Sequence, residues 1–427
     1  MTTRPAYDVA IVGASIAGCT AATLFARQGL RVALIERHAD PDAYKVLCTH
    51  FIQPSATPTI QRLGIAGALE AAGAVRNGLQ FWTRWGWVHT SIGGQAGRPT
   101  YGYNVRRQVL DPILRRAAID TPGVEFMPGQ TAKRLLTADG RVAGVEIEGR
   151  DGQAHTIAAR LVVGADGRNS QIAELANVPT RVLPNQRFGY GIHYRDLPLA
   201  SGNDAQMWLL DPDVAYAFPN DDGVTVLACF ITKDKLPAFK ADLRGNFERF
   251  FEKLPCAPRI AGAEPISKMI GALDLPNITR RAAQPGLALV GDAALASDPL
   301  WGTGCSCAFQ SAEWLVEQTA PALREGGDVD RALGRYRREH RYQLLAHFLL
   351  NSNYSTGGPF NPFQRLLFSA APKDAMTAQR VGEFGAGLIG VGQLLSPAAL
   401  GRALWVNMTT RGASPADVAL SQPGVVR

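Results

Sequence analysis

The chain has 427 residues, 46% of them hydrophobic and 19% charged, which is too apolar for a disordered chain and ample for the large core of a folded enzyme. A net charge of +7 suits anionic small-molecule ligands, while the lack of any basic run or nucleic-acid motif argues against a polynucleotide partner. Six scattered cysteines fit neither a disulfide framework nor a zinc cluster, so a reducing cytoplasm and no bound metal are expected.

Tyr7 to Val12 predicts a first strand and not a secretion signal, because its short apolar run flows straight into the small-residue turn Gly13 to Gly18. Cys19 to Gln28 predicts a helix closed by Gly29, and Arg31 to Ile35 a second strand ending at Glu36. This unit of about 30 residues builds a parallel sheet through a right-handed crossover. A polar loop with Lys45 and Cys48 follows, then a helix through Leu63 and the aromatic segment Phe81 to Thr90, which alternates as a strand does. Asn104 to Ala118 predicts a helix; Val124 to Phe126, Arg141 to Ile147 and His155 to Val163 predict strands.

Short alternating runs from Phe188 to Phe230, separated by turns such as Asn220-Asp221-Asp222-Gly223, predict an antiparallel sheet inserted into the nucleotide fold. Leu287 to Val290 returns as a buried strand, and the last third of the chain has mostly helical spacing. Between Phe384 and Val406 the sequence is apolar, but Gln393, Pro397 and Arg402 interrupt it, so helices and no membrane span are expected. The expected class is therefore α/β. A Rossmann-like domain draws on residues 1–75, 100–180 and 280–330, an antiparallel-sheet substrate domain on 76–99 and 181–279, and a helical region on 331–427.

Gly13-Ala14-Ser15-Ile16-Ala17-Gly18 is a dinucleotide fingerprint with serine at its middle glycine. Its glycines permit a tight turn, and the helix start offers N–H groups and positive potential to a pyrophosphate. Glu36, with Arg37 beside it, falls about 20 residues on, where a carboxylate can accept from ribose hydroxyls. Further along stand Gly164-Ala165-Asp166-Gly167-Arg168-Asn169-Ser170, then Gly291-Asp292-Ala293 with the loop Pro299-Leu300-Trp301-Gly302-Thr303-Gly304, and a helix carrying Arg107, Leu110 and Leu114.

Together these motifs resemble the FAD-dependent monooxygenases of the para-hydroxybenzoate hydroxylase fold, a superfamily that includes flavin-dependent halogenases and geranylgeranyl reductases. The resemblance covers residues 7 to 315. It implies Asp166 and Gly167 at the FAD pyrophosphate, Asp292 on the ribityl chain, and Pro299, Gly302, Thr303 and Gly304 beside the isoalloxazine. It also implies a cofactor contact from Arg107 or Arg106, and a basic residue, Lys45, near the phosphates or flavin. Cys305-Ser306-Cys307 departs from the family's usual continuation, and both cysteines are expected as small pocket-lining residues.

The implied reaction is NADH- or NADPH-driven hydroxylation of an aromatic or hydrophobic small molecule by molecular oxygen, through a flavin C4a-hydroperoxide. The expected substrate wall comprises Trp82, Trp85, Trp87, Trp208, Tyr216 and Phe218, with His89, His193 or His50 as base. Two rivals share the superfamily. Lys45-Val46-Leu47-Cys48 is similar to the Lys-x-Cys stretch of geranylgeranyl reductases, although Thr49 replaces the following glycine; Asp298-Pro299-Leu300 also resembles halogenases, although Trp85-Gly86-Trp87 precedes the GADG motif where their signature follows it.

Overall fold

A computed structural model of the protein describes residues 6–90 and 100–410, so Met1 to Pro5, the expected boundary at 99 and the end of the C-terminal region lie outside the described residues. Five strands run parallel in the order Val124–Pro128, Val32–Glu36, Tyr7–Val12, Ala154–Gly164 and Leu287–Leu289. Val9, Ala10 and Ile11 in the central strand are wholly buried, as expected for a parallel sheet covered on both faces. The first half of Ala154–Gly164 also pairs antiparallel with Arg141–Glu148, which in turn pairs with Thr131–Ala138. Thr131–Ala138 lacks the apolar alternation that marks a strand in sequence, and only its Ala132 is buried. Helix Ile16–Arg27 packs against the long helix Gly304–Glu325, so that the first and last nucleotide-fold motifs meet.

The second sheet runs in the order Glu264–Pro265, Arg187–Arg195, Val224–Thr232, Val214–Pro219, Ala205–Leu209, Leu79–Thr83 and Gly86–His89, with Ile270–Ala272 also on Arg187–Arg195. One pairing departs from the antiparallel expectation: Leu79–Thr83 runs parallel to Ala205–Leu209, because it is delivered from an earlier part of the chain and not through a hairpin. Phe81 to Thr90 is likewise two strands and not one. Gly86 at φ +129° reverses the chain after Arg84-Trp85, a conformation closed to ordinary side chains.

Alternate residues give this sheet two interiors. Phe81, Val88, Met207, Tyr216, Phe218, Val226, Ala228 and Phe230 face Leu300, Trp301 and the C-terminal helices. Trp87, Trp208, Leu227, Cys229 and Ile231 face the opposite way, closed over by Phe239, Phe247 and Phe251. The C-terminal helices start at side-chain caps: Asp328 accepts from the Arg331 N–H before Val329–Tyr354, and Asn361 forms a reciprocal box with Gln364 before Pro362–Ala370. Among the described residues no helix is long and apolar enough to cross a membrane.

His340 is buried in the Val329–Tyr354 helix beside the Tyr336 ring, and its Nε2 has no protein partner. Burial pushes its imidazole down to about 4 from the usual 6.5, so it is neutral when folded. The unfolded chain binds the extra proton, so this contribution is complete above pH 6.5 and is lost as pH falls toward 4, by roughly 3 kcal/mol. Urea unfolding across that range should show a pH slope that His340→Leu flattens; an unchanged slope in the variant would contradict the assignment.

Candidate active site

A cavity of about 810 Å³ opens where the motifs meet the second sheet. Its floor is the Gly13 to Gly18 turn. A Cβ at Gly13 would lie 2.5 Å from the Ala165 carbonyl oxygen and one at Gly18 only 1.7 Å from that of Gly13, so close backbone packing demands glycine at both positions. Ser15, Ile16 and Ala17 line the cavity at the start of helix Ile16–Arg27, which has no side-chain cap. Ser15 is engaged elsewhere: its hydroxyl accepts from Arg107 Nη2 at 2.6 Å. The first-turn N–H groups therefore remain available to an anion.

Glu36 is buried and lines the same space, its Oε2 accepting from the Ala14 N–H at 2.8 Å and its Oε1 from the His38 N–H at 2.9 Å. Each carboxylate oxygen keeps a further lone pair for a hydroxyl. Arg37 lines the rim, exposed. Arg107 is buried against Asp111 and donates its backbone N–H to His50 Nδ1, whereas Arg106 is turned into a buried ion pair with Asp221. Of the two arginines, Arg107 is the one in the cavity wall. Sequence reasoning missed Arg115, whose guanidinium donates to the carbonyls of Ala14, Pro41 and Ala43 and ties the turn to the Lys45 loop.

Lys45 Nζ meets Asp292 Oδ2 at 2.9 Å across the cavity. The carboxylate draws the Lys45 ammonium above its ordinary range; burial alone would raise Asp292, but Lys45 pulls it below. Gly291, at φ +57°, sets Asp292 against the first helix, where a Cβ would approach Ala17 Cβ to 3.1 Å. Asp166 and Gly167 line the cavity, yet both Asp166 oxygens are engaged, accepting from the Ser170 hydroxyl at 2.6 Å and the Ile172 N–H at 3.0 Å. Pro299, Gly302 and Gly304 line the wall; Thr303, buried, precedes helix Gly304–Glu325 without a side-chain cap bond. Two uncapped helix starts and two carboxylates thus border one space, a donor and acceptor set that fits the phosphates and sugar hydroxyls of FAD.

Behind the Pro299 loop, Asp298 is wholly buried and paired with Arg187; it also accepts from Asn185 Nδ2 at 2.8 Å and from the Leu300 N–H at 3.0 Å. Tyr216 donates its hydroxyl to the Leu300 carbonyl at 2.7 Å.

The sheet side of the cavity is lined by Gly189, Tyr190, Gly191, His193, Val226, Ala228, Phe230, Ile270, Ala272 and Leu275. This corrects the expected substrate wall. Trp82, Trp87 and Trp208 belong to the opposite interior, since in a pleated strand one position of phase decides the face; Trp208 donates to the Pro255 carbonyl there. Tyr216 and Phe218 are on the cavity's face, but the Pro299–Trp301 loop, Phe51 and the C-terminal helices cover them. Trp85 stacks on Phe360 outside the cavity. His89 is also displaced: it sits exposed on the edge strand Gly86–His89, hydrogen-bonded to Gln80 at 3.1 Å and remote from Arg187–Arg195 in the strand order. Of the three candidate histidines, His193 is the one that lines the cavity, with buried His50 at 5.1 Å between ring centroids. The alternation Gly189, Gly191, His193 was the available sequence signal for this face.

The chain is 26% identical over 343 residues to digeranylgeranylglycerophospholipid reductase 2 of Methanopyrus kandleri, covering 77% of this chain and 81% of the relative. It is 29% identical over 339 residues to kynurenine 3-monooxygenase of Salinispora arenicola, covering 72% and 71%. Its fold matches p-nitrophenol 4-monooxygenase from Pseudomonas putida with a TM-score of 0.74 at 18% identity, over 90% of this chain and 98% of that one. The FAD binding domain family matches residues 6–344, and the chain belongs to it: the protein is an FAD-dependent oxidoreductase of the monooxygenase, halogenase and reductase superfamily.

Proposed function

We propose that the protein is an NADH- or NADPH-driven monooxygenase that hydroxylates an aromatic or other hydrophobic small molecule. The observation that supports this reading is a single cavity joining the dinucleotide cradle to an apolar, aromatic sheet face that carries one titratable imidazole, His193. FAD, when bound, supplies the two-electron reduction and the activation of oxygen. The chain's own residues hold and orient. N–H groups of Ser15, Ile16 and Ala17, with Gly13, Gly18, Asp166, Gly167 and Arg107, position the phosphates; Glu36 and Asp292 take the sugar hydroxyls, with Arg37 and Lys45 at their sides. Backbone N–H groups at Gly302, Thr303 and Gly304, next to Pro299, would face the ring near the positive end of helix Gly304–Glu325. Tyr190, Phe230, Ile270 and Leu275 exclude water around the substrate. Similarity to kynurenine 3-monooxygenase supports oxygenation.

His193 takes the base role in place of His89. Burial and Arg106 hold its imidazole below 6.5, so it is neutral near pH 7 and able to accept a proton from a phenol-type substrate. Substrate hydroxylation should fall on the acid side as His193 protonates below pH 6.5, and His193→Gln should lower turnover by about 100-fold and remove that limb. An unchanged pH profile in the variant would reject the assignment.

A second reading, reduction of an isoprenoid alkene, draws on Cys48 lining the cavity after Lys45 and on similarity to the geranylgeranyl-type reductase. Anaerobic reduction of the FAD-loaded protein by NADH or NADPH followed by air, with candidate substrates, separates the two. Substrate-stimulated oxygen uptake with an added hydroxyl is expected; alkene saturation without oxygen uptake would overturn the proposal.

A further inference from the structure

Neither the cradle nor the proposed oxygenation uses the two sulfurs in the cavity wall. Cys48 Sγ and Cys305 Sγ approach to 3.8 Å, although 257 positions separate them in sequence. Both line the cavity. Cys48 accepts from the His50 N–H at 3.3 Å, a hydrogen bond that favours negative charge on its sulfur, while Cys305 lies in the first turn of helix Gly304–Glu325. Bond formation needs the sulfurs to close by roughly 2 Å.

The two sulfurs are chemically unequal. A hydrogen bond from Cys305, reinforced by Arg107 and Lys45, holds Cys48 below the ordinary thiol range despite its burial, while that same bond and burial push Cys305 up. Cys19 and Cys307, by contrast, are raised by burial to about 12. Cys48 therefore has the character of an attacking thiolate and Cys305 that of a resolving thiol.

We propose that Cys48 and Cys305 form a redox-active dithiol in the cavity, which hydrogen peroxide oxidises to an intramolecular disulfide. The Cys48 thiolate attacks one peroxide oxygen; an S–O bond forms, the O–O bond breaks and hydroxide leaves, taking up a proton as water. Cys305 sulfur then attacks Cys48 sulfur; the S–S bond forms, the S–O bond breaks, and the departing hydroxide leaves as water with the Cys305 proton. The sum is two thiols and one peroxide giving one disulfide and two waters. Peroxide is the by-product expected of any flavin site that meets oxygen without substrate, so the dithiol stands where that oxidant arises. A small-molecule thiol would return the pair to its reduced form.

The test uses FAD-loaded protein, fully reduced by a phosphine that is then removed, and treated with a small excess of hydrogen peroxide. Intact mass should fall by two hydrogens, two fewer of the six cysteines should react with a thiol reagent after denaturation, and peptide mapping should join Cys48 to Cys305. In Cys305→Ser, the sulfenic acid should persist on Cys48 and be captured by a 1,3-dione, whereas Cys48→Ser should leave Cys305 unlabelled. All six thiols still reactive after peroxide, or a bridge joining any other pair, overturns the proposal, and this readout on the unsubstituted protein decides even where a variant fails to fold.

Discussion

Replacing Asp298 by alanine is expected to destabilise the protein by about 3–5 kcal/mol, the cost of leaving a buried guanidinium without its partner. Arg187 is wholly buried, donates to Asp298 through Nε and Nη2, and has no protein partner at Nη1. Asp298 also accepts from Asn185 and from the Leu300 N–H, while its own N–H donates to Asn277 Oδ1 at 2.8 Å. The network thus fixes the start of the Pro299–Gly304 loop. Urea unfolding of Asp298→Ala should show the loss, and removing both charges together, in Arg187→Met with Asp298→Leu, should recover most of it because no buried charge is orphaned. A single variant within about 1 kcal/mol of the parent would show that the pair is not the keystone described. Weakened flavin binding in the stable double variant would then report the loop's position separately from global stability.

Local geometry made the nucleotide cradle legible in the sequence. Gly13, Gly18, Glu36 and Asp292 are set by tight turns and strand ends, each decided within a few residues of chain; Gly13, Glu36 and Asp292 line one cavity, and Gly18 packs beneath the turn against the Gly13 carbonyl. The substrate wall was not legible, because aromatic character does not reveal pleat phase. Trp82, Trp87 and Trp208 alternate correctly for strands, yet they point into the interior closed by Phe251 and its neighbours. The face that opens on the cavity carries small residues, Gly189, Gly191, Ala228 and Ala272, between Tyr190, Phe230 and their larger neighbours, and these leave room that large side chains would fill. Arg115 escaped notice because its partners are backbone carbonyls, which carry no side-chain signature. Arg187 with Asp298, and Cys48 with Cys305, are separated by 111 and 257 positions, so only the closed fold pairs them.

Gly18→Ala is expected to weaken FAD binding by at least about 100-fold, some 3 kcal/mol. The added Cβ would sit 1.7 Å from the Gly13 carbonyl oxygen and 3.3 Å from Ala165 Cβ. Its clash is with backbone, which cannot rotate aside, so the turn must open and carry the N–H groups of Ser15, Ile16 and Ala17 away from the phosphates. Asp292→Ala makes a different demand on the same ligand. It removes a charge-assisted acceptor and releases Lys45 while leaving the turn intact, so a loss of about 10- to 30-fold is expected. Gly67→Ala, where a Cβ meets nothing within 4 Å, serves as the silent control. Flavin absorbance of the purified proteins and FAD titration of the stripped forms measure all three, with far-ultraviolet circular dichroism to confirm folding. The steric and the charge terms should appear in that order of size. Gly18→Ala protein that folds and keeps full flavin absorbance would mean that the phosphates lie elsewhere, and the assignment of the turn would fall with it.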